Sequence, residues 1–372
     1  MHIIILTHPF YGNYGGMLQA FALQKALASK ELPSLICRYY SYPVISFPKR
    51  MACVLNDWVQ MGIKFFSPHW GRKHIPQRYF FELGKNFLNR CVKSVPYKDA
   101  LKSDGAWIVG SDQVWRSSYV SHWGGLPFFF LAHLPREIRE KSIAYSASFG
   151  TDEWEASQDD IATCASLARE FKAISVREQS GVGICHNQLG VAAVQIADPT
   201  LLPETEVYHD LIRKERTWKP EVDYTAAYIL DRTADKEALI QECKELLNTE
   251  IQHLTPNVFA KRLRDRRPIS VSQWLRLIRD SKFFITDSFH GCVFAIIFNK
   301  PFVCLGNKGR GNARFDSLLR TFGLQERLLT ELHPQKIQEL LNVPIDWDKV
   351  NAIRLNEQQR SFDFILTNLK KV

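Results

Sequence analysis

The chain lacks the signatures of the commonest catalytic and structural devices. Its eight cysteines, at 37, 53, 91, 164, 185, 243, 292 and 304, include no CxxC pair. Several lie in apolar runs, as reduced buried thiols do, so neither disulfides nor zinc is expected. The eleven histidines show no HExxH or other paired metal spacing, which argues against any metal centre. The longest unbroken apolar run, Cys292 to Phe298, is far below the roughly 20 residues that cross a bilayer. Met1 to Leu6 passes straight into a strand-like stretch, with no basic region and no small-residue cleavage site, so a cytoplasmic chain is expected. A Walker lysine, a GxGxxG pattern, a GxSxG elbow and a Cys-His nucleophile arrangement are all missing, which argues against common nucleotide-cradle and hydrolase chemistry.

What is present reads as an ordinary folded protein. At roughly 150 residues per domain, 372 residues make about two or three domains. Lys and Arg outnumber Asp and Glu by 48 to 39, and the resulting +9 favours anionic partners: phosphorylated metabolites, anionic lipid surfaces or nucleic acid. The basic residues are dispersed, however. The densest group, Lys261, Arg262, Arg264, Arg266 and Arg267, is interrupted by Asp265 and reads as a solvated surface, which argues against nucleic acid.

Short apolar runs followed by turn signals recur at Ile3–Leu6, Trp107–Val109, Ser142–Tyr145, Ala173–Val176 and Ala193–Ile196, with helix-like stretches at Gly16–Lys30 and Trp154–Lys172. Such alternation implies a largely parallel sheet covered on both faces. The pattern is lost to charge around Pro203–Asp223 and resumes at Tyr224, where the same grammar repeats. The expected architecture is therefore α/β, with an N-terminal domain over 1–205, a smaller one over 221–345 and a closing helix or helix pair over 346–372. Residues 38–95 read as an irregular insertion; its Trp58, Phe65, Phe66, Trp70, Arg72 and Lys73 fit core packing or a sugar- or lipid-facing surface.

Ligands of doubly wound sheets bind beyond the carboxyl ends of the strands, so the informative residues follow each apolar run. The turn from His8 to Gly16, with Asn13 and Gly15, is either a close backbone approach to a ligand or an ordinary tight turn. Ser111, Asp112 and Gln113 after Trp107–Val109 are suited to hold a sugar, or to cap a helix. Arg177 emerges from Ile174–Val176, where its fork can take a carboxylate or phosphate, or pair with Glu178 or another acid. Asp287 and Ser288 read as a capping pair before a helix whose first turn carries His290; that ring is either an acid poised by its own anionic ligand, which would favour the charged imidazole, or a satisfied structural histidine. Lys308, Arg310 and Arg314 lie in or just after a Gly-rich basic loop that could close over phosphate, or stay solvated.

Taken in order, NYGGMLQAFAL, VGSDQVW, SASFG, SVRE, ADPTLL and TDSFHGCVFAIIFNKPF resemble the blocks of the polysaccharide pyruvyl transferase family, from Asn13 to Phe302. That resemblance implies two Rossmann-like domains facing a central cleft, as in GT-B glycosyltransferases, with the acceptor on the N-terminal side and the donor on the C-terminal side. It further implies transfer of pyruvate from phosphoenolpyruvate, a substrate rather than a cofactor, to a sugar as a ketal. The sugar would belong to a surface polysaccharide or its lipid-linked precursor. Arg177 and His290 would serve the donor, with His290 as acid or phosphate stabiliser. Some members carry arginine two residues before that histidine, where this chain has Ser288. Lys308, Arg310 or Arg314 is then left to supply the anion contact. Asp112 is the candidate base for the attacking hydroxyl, and Asn13, Ser111 and Gln113 would face the acceptor. With a lipid-linked acceptor, the +9 charge would favour a peripheral encounter with anionic membrane. Two other readings share the architecture: a sugar-nucleotide glycosyltransferase, and a catalytically silent sugar- or anion-binding protein.

Overall fold

Strands covered on both faces read as unbroken apolar runs, and Ile3–Leu6 and Phe283–Thr286 are of that kind. In a computed structural model, which describes residues 2–40, 75–256, 267–306, 312–331 and 334–369, both are interior strands of parallel sheets. The described strands are β1 (Ile3–Leu6), β2 (Ser34–Arg38), β3 (Ser94–Pro96), β4 (Trp107–Val109), β5 (Ile143–Ala147), β6 (Ala173–Val176), β7 (Val194–Gln195), β8 (Tyr224–Tyr228), β9 (Glu250–His253), β10 (Phe283–Thr286), β11 (Phe302–Leu305) and β12 (Leu328–Leu329). They form one sheet ordered β3-β2-β1-β4-β5-β6-β7 and another ordered β12-β11-β10-β8-β9. All pairings are parallel, so consecutive neighbours are joined by crossovers, most of them helical.

Each sheet has one point where the direction of strand addition reverses, between β1 and β4 in the first and between β8 and β10 in the second. Register brings the paired ends level. Leu6 lies beside Val109, and Thr286 beside Tyr228, so the segments that follow emerge together at each reversal. Helix Tyr14–Ser29, which leaves the first reversal, is buried at every position except Lys25, Ala28 and Ser29. It can be apolar nearly all round because it is packed between its own sheet and the second domain. There Tyr14 stacks on Trp274 at 5.3 Å and donates its hydroxyl to the Ile269 carbonyl at 2.8 Å.

The charged region after Pro203 is more regular than its composition implies. Residues Thr205–Arg213 form an amphipathic helix that buries Tyr208, Leu211 and Ile212 and exposes its charges. It packs on the second domain, with Tyr208 edge-on to Phe294 at 5.0 Å and the Leu211 carbonyl accepting from Ser272 Oγ at 2.8 Å. The expected irregular insertion likewise contains regular elements: Ile75–Cys91 is a helix, and β3 extends the sheet beyond β2. Trp58, Phe65, Phe66, Trp70, Arg72 and Lys73 lie outside the described residues, as do Lys261, Arg262, Arg264 and Arg266.

The C-terminal element is a single helix, Trp347–Leu369, that returns to the first domain. Arg354 donates to Thr205 Oγ1 and the Pro203 carbonyl, Gln358 to the Leu202 carbonyl, and Lys30 lies 4.3 Å from the Phe362 ring. The chain thus passes between the domains twice. No helix among the described residues is long and apolar enough to cross a membrane.

Candidate active site

The two sheet reversals face each other across a cleft of about 220 Å3. Gly12 and Asn13 after β1 and Asp112 and Gln113 after β4 line it from one side. Leu230 after β8 and Asp287, Ser288, Phe289 and His290 after β10 line it from the other, with Arg314 from helix Ala313–Phe322.

The turn after β10 spends most of its polar residues on its own shape. Thr286 Oγ1 donates to the Tyr228 carbonyl at 2.9 Å and accepts from Ser288 N–H at 3.0 Å. The Asp287 carboxylate accepts from Leu230 N–H at 2.6 Å, Asp231 N–H at 3.1 Å and Lys236 Nζ at 2.7 Å. Ser288 Oγ accepts from Gly291 N–H at 3.3 Å and so caps helix Phe289–Ile297. Any side chain on Gly291 would put Cβ 2.4 Å from Thr286 Oγ1. Phe289 and His290 are left to meet the first domain.

The turn after β4 is anchored in the same way. Ser111 is fully buried, its N–H donating to Gln19 Oε1 at 3.1 Å and its hydroxyl to the Ser146 carbonyl at 2.8 Å. It therefore does not face an acceptor. Neither Ser111 nor Asp112 caps a helix, since the next one begins at Ser117 with Arg116 as its cap. Gln113 Oε1 accepts from Arg116 Nη1 at 3.1 Å. Asp112 adopts a left-handed backbone, φ 69°, which aims its carboxylate between the domains.

Arg177 does not pair with Glu178. Glu178 Oε1 accepts from Ser148 Oγ, Phe149 N–H and Gly150 N–H at 2.9, 2.8 and 3.1 Å, which ties the SASFG turn to β6. Arg177 instead donates Nη1 to Asp198 at 2.9 Å and Nη2 to Asp112 at 3.2 Å, with its guanidinium 4.3 Å from the Phe289 ring. Both terminal nitrogens are held by protein carboxylates, and the residue lines a rear cavity of about 50 Å3 behind Phe289. Arg314 reaches both cavities and lies 5.9 Å from the same ring.

Electrostatics follow from this packing. Burial alone would raise the Asp112 carboxyl, but Arg177 and then His290 outweigh it and leave it below the usual carboxylate range. At Asp198 burial is opposed first by His290 and then by Arg177, with the net shift well downward. Burial, reinforced by Arg177, lowers Arg314 to about 10, so it stays charged at neutral pH. Burial also lowers His8, which lies under this cluster, while Asp112 pulls the other way.

Of the residues singled out in the sequence, Asn13, Asp112, Gln113, Asp287, Ser288, His290 and Arg314 line the cleft. Asn13 Nδ2 donates to Asp112 Oδ2 at 3.4 Å. Gly15 seats the His290 ring, for a Cβ there would lie 2.0 Å from Nδ1. Arg177 and Ser111 stand behind the lining. Lys308 and Arg310 lie outside the described residues. Asp198, within the ADPTLL block, joins the cluster without having been singled out by spacing; its one mark in the sequence is an acid just after a strand, followed by Pro-Thr.

The two parallel domains and the cleft between them make this a GT-B-like protein. A UDP-GlcNAc 2-epimerase from Neisseria meningitidis, solved bound to UDP-GlcNAc, has this architecture; its TM-score is 0.51, at 12% identity over all of both chains. The spinosyn forosaminyltransferase SpnP is similar at a TM-score of 0.45 and 12% identity, over 100% of this chain and 98% of that one. No curated protein sequence matches significantly. The polysaccharide pyruvyl transferase family model matches residues 13–309, and the chain belongs to that family.

Proposed function

We propose that the protein transfers pyruvate from phosphoenolpyruvate to a sugar of a surface polysaccharide or its lipid-linked precursor, forming a ketal across two hydroxyls. Family membership supports the reaction class. The donor assignment is carried by one observation: Arg314, His290 and the N-terminus of helix Phe289–Ile297 converge on the cleft. Phosphoenolpyruvate brings a carboxylate and a phosphate, and a guanidinium fork plus a helix N-terminus match that pair. Arg314 takes the anion-binding part that Ser288 cannot.

The reaction needs one proton on C3, attack of a hydroxyl on C2, loss of phosphate with the C2–O bond, and closure by a second hydroxyl. Two hydroxyl protons are released; one balances the new C3–H bond and the other leaves with phosphate. In this reading His290 is the acid or phosphate-stabilising group. Asp112, ionised at neutral pH, accepts the hydroxyl proton from the opposite wall, with Asn13 beside it. A lipid-linked acceptor would bring the protein to the inner membrane face, where its +9 charge favours a peripheral encounter.

Thermal melting with millimolar phosphoenolpyruvate, UDP- and GDP-sugars and plain phosphate tests the donor, because a ligand selective for the folded state raises Tm. The expected result is a rise with phosphoenolpyruvate exceeding that with phosphate. A rise confined to sugar nucleotides would replace this reading with glycosyl transfer, and turnover of neither donor despite binding would favour a silent binder.

A further inference from the structure

One acid of the cluster has no part in this chemistry as described. Asp198 follows β7 in the first domain, and its side chain is fully buried. Thr200 N–H and Thr200 Oγ1 donate to its Oδ1 at 3.0 and 2.6 Å, so the carboxylate cannot rotate freely. Oδ2 is thereby aimed across the domain boundary. It receives Arg177 Nη1 at 2.9 Å, with Ser111 Oγ at 3.4 Å and His290 Nε2 at 3.5 Å.

We infer that Asp198 is the positioning residue for His290, fixing the ring from the first domain by its Nε2 while Gly15 bounds the opposite edge. Three observations carry this. Nε2 is buried, with Asp198 as the acid beside it and no hydrogen-bond partner nearer than that contact among the described residues. On the other edge the ring meets the start of helix Tyr14–Ser29 so closely that only glycine fits. Balancing Arg177 does not by itself explain Asp198, because Asp112 already meets that guanidinium at 3.2 Å. At 3.5 Å the contact lies at the outer limit of hydrogen bonding, and a few tenths of an ångström of domain closure would convert it into a hydrogen bond to a carboxylate. A ring fixed in this way keeps one orientation in every turnover, and a displacement of about 1 Å in such a group can cost on the order of 100-fold in rate.

The kinetic arm of the test rests on the pyruvyl-transfer reading, and a spectroscopic arm does not. Asp198→Asn, His290→Gln and the double variant are compared in kcat and in KM for phosphoenolpyruvate. Asp198→Asn is expected to lower kcat on the order of 100-fold with KM changed less than a few fold, and to add less than about twofold in the His290→Gln background. A full multiplicative loss in that background, or a change in KM alone, overturns the inference. Should Asp198→Asn fail to fold, Thr200→Val frees Oδ1 while keeping the charge, and the same coupling with His290→Gln is expected at smaller amplitude. In protein labelled with 15N-histidine, the His290 ring resonances should move in Asp198→Asn or Thr200→Val; unchanged resonances overturn the inference. If the wild type turns over no phosphoenolpyruvate, the donor reading fails and the ring resonances still decide this one.

Discussion

Gly15, in the first turn of the helix after β1, and His290, in the first turn of the helix after β10, touch across the two domains: a Cβ on the glycine would lie 2.0 Å from Nδ1 and 2.2 Å from Cγ of the ring. The small residue that suggests a backbone opened to a ligand instead makes room for a side chain of the other half of the molecule.

Gly15→Ala should therefore push the histidine or the whole domain away. A loss of kcat on the order of 100-fold is expected, together with a lower Tm. Removing the ring relieves the overlap, so Gly15→Ala with His290→Ala should melt higher than Gly15→Ala alone. A Gly15→Ala protein with wild-type kinetics would show that turnover does not need the two residues to meet.

Arg314→Gln removes the cleft's own guanidinium. Charge-assisted hydrogen bonds contribute about 1.5–3 kcal/mol, so KM for phosphoenolpyruvate should rise roughly tenfold to a hundredfold, and the melting shift given by the donor should shrink accordingly. An unchanged shift would place the anion elsewhere.

Arg177→Ala acts on the fold before it acts on the ligand. It leaves Asp112 and Asp198 buried without their shared cation, a situation that costs about 3–5 kcal/mol. Denaturant unfolding should show that loss, and Asp112→Asn in the same background should restore part of it. If Arg177→Ala unfolds like the wild type and only binds donor more weakly, Arg177 contacts the ligand after all.

His133 is stacked on Phe128 at 4.5 Å with both ring nitrogens buried and without a hydrogen-bond partner among the described residues, and burial followed by repulsion from Arg139 lowers it to about 4. The unfolded chain takes up a proton near pH 6.5 that the folded chain refuses until about 4, so stability falls as pH drops through that window. The slope from one such group reaches about 1.4 kcal/mol per pH unit. His133→Phe should flatten it, measured as the difference from wild type in chemical unfolding between pH 7 and 4.5; parallel curves would mean the imidazole is charged when folded.

Much of the architecture was legible because parallel strands buried on both faces leave continuous apolar runs, and Ile3–Leu6, Trp107–Val109 and Phe283–Thr286 carry that mark. Helix Thr205–Arg213 was hidden because only three of its side chains are buried, and its exposed charges dominated the composition. At the site, spacing located the right turns but could not divide labour within them. Ser111, Asp287 and Ser288 look like ligand contacts in one dimension, whereas their hydrogen bonds are largely taken up in shaping the turns. That Arg177 pairs with Asp198 and Asp112 rather than with Glu178 was not legible, because those partners are 21 and 65 residues away along the chain, at distances no local pattern encodes.

The two passages of chain between the domains, one entering helix Thr205–Arg213 and the other returning along Trp347–Leu369, constrain how the cleft can open. A single tether would let one half swivel or slide over the other. A pair of tethers side by side behaves as a door hinge: rotation about the line joining them is cheap, while lateral sliding strains both. His290 can therefore swing away from Asp198 and Gly15 and come back to the same place, which lets a site assembled from two domains be remade faithfully in every cycle.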